Sequence, residues 1–293
     1  MTLKISLPAL GRVSITLFAV AAAFAAGSWL WQHYEVEPWT RDGRVKANVV
    51  QVAPDVSGLV TKVLVRDNQQ VATGQVLFEI DRARFELALR QAEASERAAR
   101  TALAQASREA RRNSELRELV AQEAREQGQS RVDQARATLE QAIVNRDTAK
   151  LNLERTRVVS VVNGFVTNLD LQAGAYVSAS HPVLALVDRN SFYVEGYFEE
   201  TKLPRIHQGD PVSIALMGNG QPLSGHVESF AGGIFDRDRS TGANLLPNIN
   251  PTFNWVRLAQ RIPVRVALDA VPEHIRLVAG QTATVAVHAA VKQ

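Results

Sequence analysis

Hydrophobic positions along this chain change their spacing several times, and each change marks a different kind of element. From Val13 to Trp31 the residues run VSITLFAVAAAFAAGSWLW, nineteen positions without a formal charge. An apolar run of that length predicts a helix of about 28 Å, close to the roughly 30 Å hydrocarbon core of a bilayer. Lys4 and Arg12 precede it, and Glu35 and Glu37 follow. Basic flanks stay in the cytoplasm, so the reading is one membrane anchor, a cytoplasmic N-terminus and an exported remainder. Arg12, Trp29, Trp31 and Tyr34 then fall where interfacial anchors sit. The small residues from Ala21 to Gly27 also suit a peptidase, which makes a cleaved signal peptide the alternative.

From Arg82 to Thr156 the spacing becomes heptad. These 75 residues hold 16 alanines, one aromatic (Phe85), one glycine (Gly128) and no proline. The seam Phe85, Ala88, Ala92, Ser95, Ala99, Ala102, Ala106 alternates steps of three and four and resumes at Leu116 and Val120. A second run follows at Val132, Ala135, Leu139, Ala142, Ala149 and Leu153. Gly128, lying between the runs, is read as the region of a reversal, with Ser130 as the N-cap of the second arm and Asp133 as its acidic capping partner. The result is an antiparallel helical hairpin with arms of about 50 to 60 Å.

Short β-patterned runs flank the helices, and they repeat. APDVSGLVTKVLVRDNQQVATGQVLFEID (53–81) and SVVNGFVTNLDLQAGAYVSASHPVLALVD (160–188) align Gly58 with Gly164, Val60 with Val166, and Val71 with Val177. Gly58, Gly74, Gly164 and Gly174 are read as turn glycines. Neither half has enough strands to bury both faces of a sheet, so the two must meet in one sandwich. Residues 189–293, with 35–48, read as further short strands: SFYVEGYFEE, DPVSIAL, GHVESF, WVRLAQRIPVRVAL and GQTATVAVHA. Many short strands without a long helix predict a small β-barrel.

Composition then narrows the chemistry. The 293 residues contain no cysteine, which excludes disulfides, thiolate metal sites and a cysteine nucleophile. Basic and acidic residues number 33 and 30, so a net charge of +3 gives no footing for nucleic-acid binding. The six histidines (His33, His181, His207, His226, His274, His288) show no ligand spacing. Glu199 and Glu200 are neighbours on a strand and point to opposite faces. The stretch from Asp236 to Asn254 reads as a long loop. No residue is assigned to catalysis, a cofactor or a metal.

Two half-motifs split by a helical hairpin resemble the HlyD-type membrane fusion proteins, or periplasmic adaptors. PWTRDGRV (38–45), VAPDVSGLVTKVLVRDNQ (52–69), NSFYVEGYFEETKL (190–203) and WVRLAQRIPVRV (255–266) resemble the branch typified by p-hydroxybenzoic acid efflux adaptors. The resemblance implies an elongated α+β protein with a transmembrane helix (1–34), a split lipoyl-like sandwich (49–81 and 157–188), a coiled-coil hairpin (82–156) and a barrel (35–48 and 189–293). Hairpin tips in this family often carry Arg, Leu and Ser. Arg117 takes the Arg position here, with Gly128 or, after a shift, Ser130 at the Ser position. Implied partners are an inner-membrane exporter of the aromatic acid exporter type, an outer-membrane TolC-like channel and further copies in a hexamer. A carrier lysine is not in place, since Lys62 lies within a strand run. An adaptor for multidrug or protein secretion and a non-transport envelope scaffold are the alternatives.

Overall fold

A computed structural model describes residues 7–31, 37–116, 121–218, 221–234, 259–272 and 274–288. The chain divides into two units, Asn48–Asn190 and Met1–Ala47 with Ser191–Gln293.

In the first of these, short strands form two four-stranded sheets. One holds β2 (Val49–Val52), β9 (Leu184–Asp188), β7 (Gly164–Thr167) and β4 (Gln70–Val71), in that order. The other holds β6 (Arg157–Val159), β5 (Val76–Ile80), β3 (Gly58–Val63) and β8 (Tyr176–Val177). The sequence repeat is therefore a pseudo-twofold exchange, in which each half contributes strands to both sheets. Its hydrogen bonds are mirrored. Asn68 N–H donates to Val166 C=O at 2.9 Å, and Gly174 N–H donates to Val60 C=O at 2.8 Å. Gly58 pairs with Val177 as Gly164 pairs with Val71. Val60, Leu77, Phe78, Ile80, Val166 and Leu186 fill the shared core with no exposure.

Two of the four expected turn glycines are not in turns. Gly58 and Gly164 begin strands, where the neighbouring strand lies too close for a side chain. A Cβ on Gly164 would collide with the Val187 carbonyl, and one on Gly58 would stand 2.6 Å from Ile80 Cγ2. Gly74 and Gly174 do turn the chain, with φ of +83° and +93°. Their repeat counterparts, Ser180 and Asn68, hold φ of +65° and +61° without being glycine. Asparagine tolerates that region; serine there costs more.

Between β5 and β6 the chain makes α2 (Ala83–Glu115) and α3 (Gln122–Glu154), each 33 residues and so about 50 Å long. The arms are rooted by several contacts. Ile80 N–H donates to Thr156 C=O at 2.9 Å, Arg84 Nη2 to Ser57 C=O at 2.6 Å, and Arg155 pairs with Asp55 at 3.0 Å. α2 ends at Glu115 and α3 has begun by Gln122, so Gly128 is not at the reversal but buried inside α3. Ser130 is likewise mid-helix and returns its hydroxyl to the Glu126 carbonyl, while Asp133 accepts from Gln129. Arg117 and Val120 lie outside the described residues.

The inward face also differs from the expected seam in α2. Phe85, Ala92, Ala99 and Ala106 face inward as expected, but Leu89, Glu96, Leu103 and Ala110 take the alternate positions. Ala88, Ser95 and Ala102 are exposed. In α3 the inward series Val132, Ala135, Leu139, Ala142, Ala149 and Leu153 agrees with the pattern.

The other unit contains a closed barrel in the order β1 (Trp39–Lys46), β10 (Tyr193–Glu199), β13 (Arg261–Leu268), β12 (Leu223–Phe230), β11 (Pro211–Leu216), β14 (Thr282–Val287). Alternating Val45, Val194, Phe198, Ile214, Val227, Val264, Val266 and Val285 form its core. β13 begins only at Arg261, and the expected loop from Asp236 to Asn254 lies outside the described residues. The α-helix α1 (Leu7–Trp31) precedes the barrel in sequence. Among the described residues no helix is long and apolar enough to cross a membrane. Side chains of α1 are described only for 16–28, about 20 Å of helix. Arg12, Trp29 and Trp31 belong to α1 but their side chains fall outside that stretch, and Tyr34 lies outside the described residues.

Two glycine substitutions separate these environments. At Gly128 an added Cβ would meet Ala110 Cα at an ordinary 3.6 Å, so Gly128→Ala raises stability by about 0.5–1 kcal/mol through helix propensity. Gly164→Ala forces the strands apart and lowers stability by about 1–3 kcal/mol. Thermal unfolding followed by circular dichroism reads both; destabilisation by Gly128→Ala would place Gly128 in a turn after all.

Candidate functional site

Among the described residues no side-chain constellation for bond-making chemistry is assembled. Among the described residues no three His, Cys, Asp or Glu side chains are placed to hold a metal ion. Three histidines have local partners: His226 Nδ1 lies 2.6 Å from Asp269 Oδ1, His181 Nδ1 lies 3.1 Å from Ala179 C=O, and the His207 backbone N–H donates to buried Asp210 at 2.7 Å. Lys62 is in β3, within a sheet. What the molecule offers instead is surfaces, on the hairpin, the barrel wall and the sandwich.

Along the hairpin the small seam brings α2 and α3 close, with one charged interruption. Glu96 is 8 % exposed and receives Arg100 of its own helix at 2.5 Å and Arg146 of α3 at 3.5 Å. Arg146 also reaches Asp147 at 2.9 Å. An alanine seam slides with little penalty, because each layer is nearly the same as the next. A charge pair at one layer fixes the register, as a lone polar residue does in a coiled coil. Sequence reasoning missed Glu96; the signal was a heptad step of four from Ala92 in place of three.

On the barrel, three segments distant in sequence come together. PWTRDGRV, NSFYVEGYFEETKL and the second half of WVRLAQRIPVRV lie on or beside β1, β10 and β13, which are neighbours. Arg44 stands opposite Glu195, and Glu195 opposite Arg265. Outward charges on this wall pair with each other: Lys46 with Glu195, Arg261 with Asp42 at 2.7 Å, and Arg265 with Glu228 of β12 at 2.7 Å. Tyr197 OH donates to Glu195 at 3.0 Å. Cations cover the aromatic rings, with Arg265 3.9 Å from the Tyr193 centroid and Arg41 and Lys202 at 5.3 and 5.7 Å from Trp39. Arginine, tyrosine and tryptophan held in fixed poses are the residues that anchor protein interfaces.

The Lys46 ammonium is raised above its ordinary 10.5, chiefly by the Glu195 hydrogen bond, against a smaller loss from burial. A raised lysine contributes stability that is complete below its unfolded value and disappears as pH climbs through the higher folded one.

On the sandwich, Asp170, Leu171, Tyr176, Val177, Ser178, His181 and Val183 line an open groove of about 300 Å³.

With this geometry in view, comparison with known proteins is direct. Residues 48–189 match the RND MFP barrel-sandwich hybrid domain family, and residues 191–288 match the AAEA-like beta-barrel domain family. A relative in Escherichia coli (strain K12), the uncharacterized protein YdhJ, is 40 % identical over 273 residues, covering 93 % of this chain and 96 % of that one. Among solved structures, MacA from Actinobacillus actinomycetemcomitans superposes with a TM-score of 0.60 at 21 % identity, over 86 % of this chain and 79 % of MacA. The membrane fusion protein Spr0693 from Streptococcus pneumoniae R6 gives 0.58 at 18 % identity, over 86 % and 99 %. Both likenesses concern the fold. The chain belongs to the membrane fusion protein, or periplasmic adaptor, family of efflux systems.

Two measurements test the pairs described above. Arg146→Leu leaves Glu96 with Arg100 alone and lowers hairpin stability by roughly 1–3 kcal/mol, and Glu96→Leu with Arg146→Leu restores or exceeds the wild-type melting temperature. For the barrel, the melting-temperature gap between wild type and Lys46→Met is constant below about pH 10 and closes above the ordinary lysine value. A gap that widens with alkaline pH would contradict the Lys46–Glu195 assignment.

Proposed function

We propose that this chain is the adaptor subunit of an efflux pump whose cargo is aromatic carboxylic acids such as p-hydroxybenzoate. In this reading α1 anchors it in the inner membrane with the N-terminus cytoplasmic and the bulk periplasmic. The support for the anchor is the nineteen-residue uncharged run from Val13 to Trp31 inside a helix of 25 residues, about 37 Å. The exporter is an inner-membrane protein of the aromatic acid exporter type, and the hairpin reaches a TolC-like outer-membrane channel. Copies assemble as a hexamer.

The observation that carries the branch is the barrel. The segments that resemble p-hydroxybenzoic acid efflux adaptors form one wall, and the AAEA-like family match spans 191–288. The wall is the exporter-docking face in this reading. Its paired charges give little long-range attraction, so docking rests on the covered rings of Trp39 and Tyr193 and on shape. The adaptor performs no chemistry; it supplies a sealed path and leaves the transport work to the exporter. At the tip, Arg117 is the remaining candidate for channel contact, since Gly128 and Ser130 sit within α3.

Deletion in a strain lacking other aromatic-acid exporters lowers the tolerated p-hydroxybenzoate concentration several-fold, and the wild-type chain restores it. Unchanged tolerance would remove the cargo assignment. Absence of any crosslink between the adaptor and its exporter would remove the docking assignment.

A further inference from the structure

The pseudo-twofold of the sandwich gives both halves the same frame, so a side chain that one half does without is not required by the fold. The mirrored hydrogen bonds fix the correspondence: Asn68 with Gly174, Ala72 with Ser178, and Gln75 with His181. Strand pairing adds Gln70 with Tyr176, and the same offset sets Leu64 against Asp170. A leucine and two glutamines therefore satisfy the frame in the first half. In the second half a carboxylate (Asp170), a phenol (Tyr176) and an imidazole (His181) take those places, and all three border one open groove of about 300 Å³.

The groove is rich in acceptors. His181 Nδ1 lies 3.1 Å from the Ala179 carbonyl, which can only accept, so Nδ1 carries a proton and Nε2 of the neutral ring keeps its lone pair. Its counterpart Gln75 turns to its own loop instead, where Oε1 accepts the Ala72 N–H at 3.1 Å. Asp170 is exposed, and neither its carboxylate nor the Tyr176 hydroxyl has a hydrogen-bond partner among the described residues. Asp67 accepts the Leu169 N–H at 3.3 Å and so adds a second carboxylate beside the Leu169–Asp170 segment. Leu171, Val177 and Val183 supply apolar lining.

This combination selects among ligands. An anion meets Asp170 as a like charge. A primary ammonium brings a positive charge and three N–H donors, which a carboxylate, an imidazole nitrogen and a phenol oxygen can accept. A hydrocarbon body attached to it gains the apolar lining. A dry cavity of about 150 Å³ already holds benzene, so a groove of about 300 Å³ suits a single ring or a short alkyl chain.

We propose that the Asp170–Tyr176–His181 groove is a binding site for small primary amines with an apolar body, the ammonium on Asp170 and the hydrocarbon against Leu171, Val177 and Val183. The assignment is independent of the pump's cargo, because a carboxylate such as p-hydroxybenzoate is refused here.

Isothermal titration of the full-length protein in detergent, with detergent-only titrations subtracted, uses benzylamine and n-butylamine as probes. A pH of about 7.5 lies above the ordinary histidine value. Benzyl alcohol and benzoate are the neutral and anionic counterparts of benzylamine, and each binds about tenfold or more weaker than the amine. Asp170→Leu, Tyr176→Gln and His181→Gln install the residues that the first half already carries, which keeps the frame. Asp170→Leu weakens benzylamine about tenfold or more, as does the shape-preserving Asp170→Asn, and the other two weaken it about threefold to tenfold. Circular dichroism checks that each variant folds. Failure of both amines to bind overturns the site. Equal affinity for benzyl alcohol, or undiminished binding by Asp170→Leu and Asp170→Asn, leaves only a plain apolar surface and also overturns it. Zinc chloride that displaces benzylamine and requires both Asp170 and His181 assigns the groove to a metal ion and overturns the amine.

Discussion

The exchange of strands between the two halves is the constraint on which the Asn48–Asn190 unit depends. β4 is only two residues long and pairs with β7 of the other half, while β8, equally short, pairs with β3. Such strands have no stability alone, and a half-motif by itself leaves its valines half covered. Reciprocal pairing buries Val60 and Val166 completely in one core. Folding of either half therefore requires the other, across the whole helical insertion that separates them. The insertion adds little loop-closure penalty because its ends return to adjacent antiparallel strands, β5 and β6, with Ile80 and Thr156 hydrogen-bonded at the root.

That arrangement explains how a hairpin with a thin seam holds its direction. Alanine layers bury little apolar area, so the seam alone contributes modestly per turn. The root supplies what the seam lacks: Arg84 on Ser57 and Arg155 on Asp55 tie the arms to the sandwich, and Arg157 on Glu79 links the two strands, β6 and β5, that the arms join. Each exposed pair is worth well under 1 kcal/mol, but together they oppose rotation of the arms about their base. Glu96 acts differently. It discriminates between registers that alanines would leave nearly equal.

Strands and barrel were legible in the sequence because alternation of β-branched and polar residues has a single period and glycine turns bound it. The sandwich was legible because the repeat showed itself in Gly58, Val60 and Val71 against Gly164, Val166 and Val177. Three details were not, each for a physical reason. Alanine occurs on every face of α2, so steps of three and four from Phe85 and from Ala99 both land on apolar residues, and the inward choice falls to Leu89 over Ala88 and to Leu103 over Ala102, the leucines having more area to bury. Gly128 was read as a breaker because glycine disfavours helix; tertiary packing against Ala110 outweighs about 1 kcal/mol of propensity. Gly58 and Gly164 were read as turns, whereas their missing side chains admit a neighbouring strand. Convergence of the three barrel segments depended on the order β1, β10, β13, which local pattern does not encode.

The two kinds of surface differ in how they can recognise a partner. On the barrel wall, acids and bases neutralise one another within the chain, so a partner gains little by presenting charge and must match fixed rings and backbone shape. On the sandwich, Lys62, Arg66 and Asp170 keep their charges uncommitted among the described residues, on faces related by the repeat. The repeat gives both halves one frame, and Leu64 against Asp170, with Gln70 and Gln75 against Tyr176 and His181, makes its two faces chemically unlike.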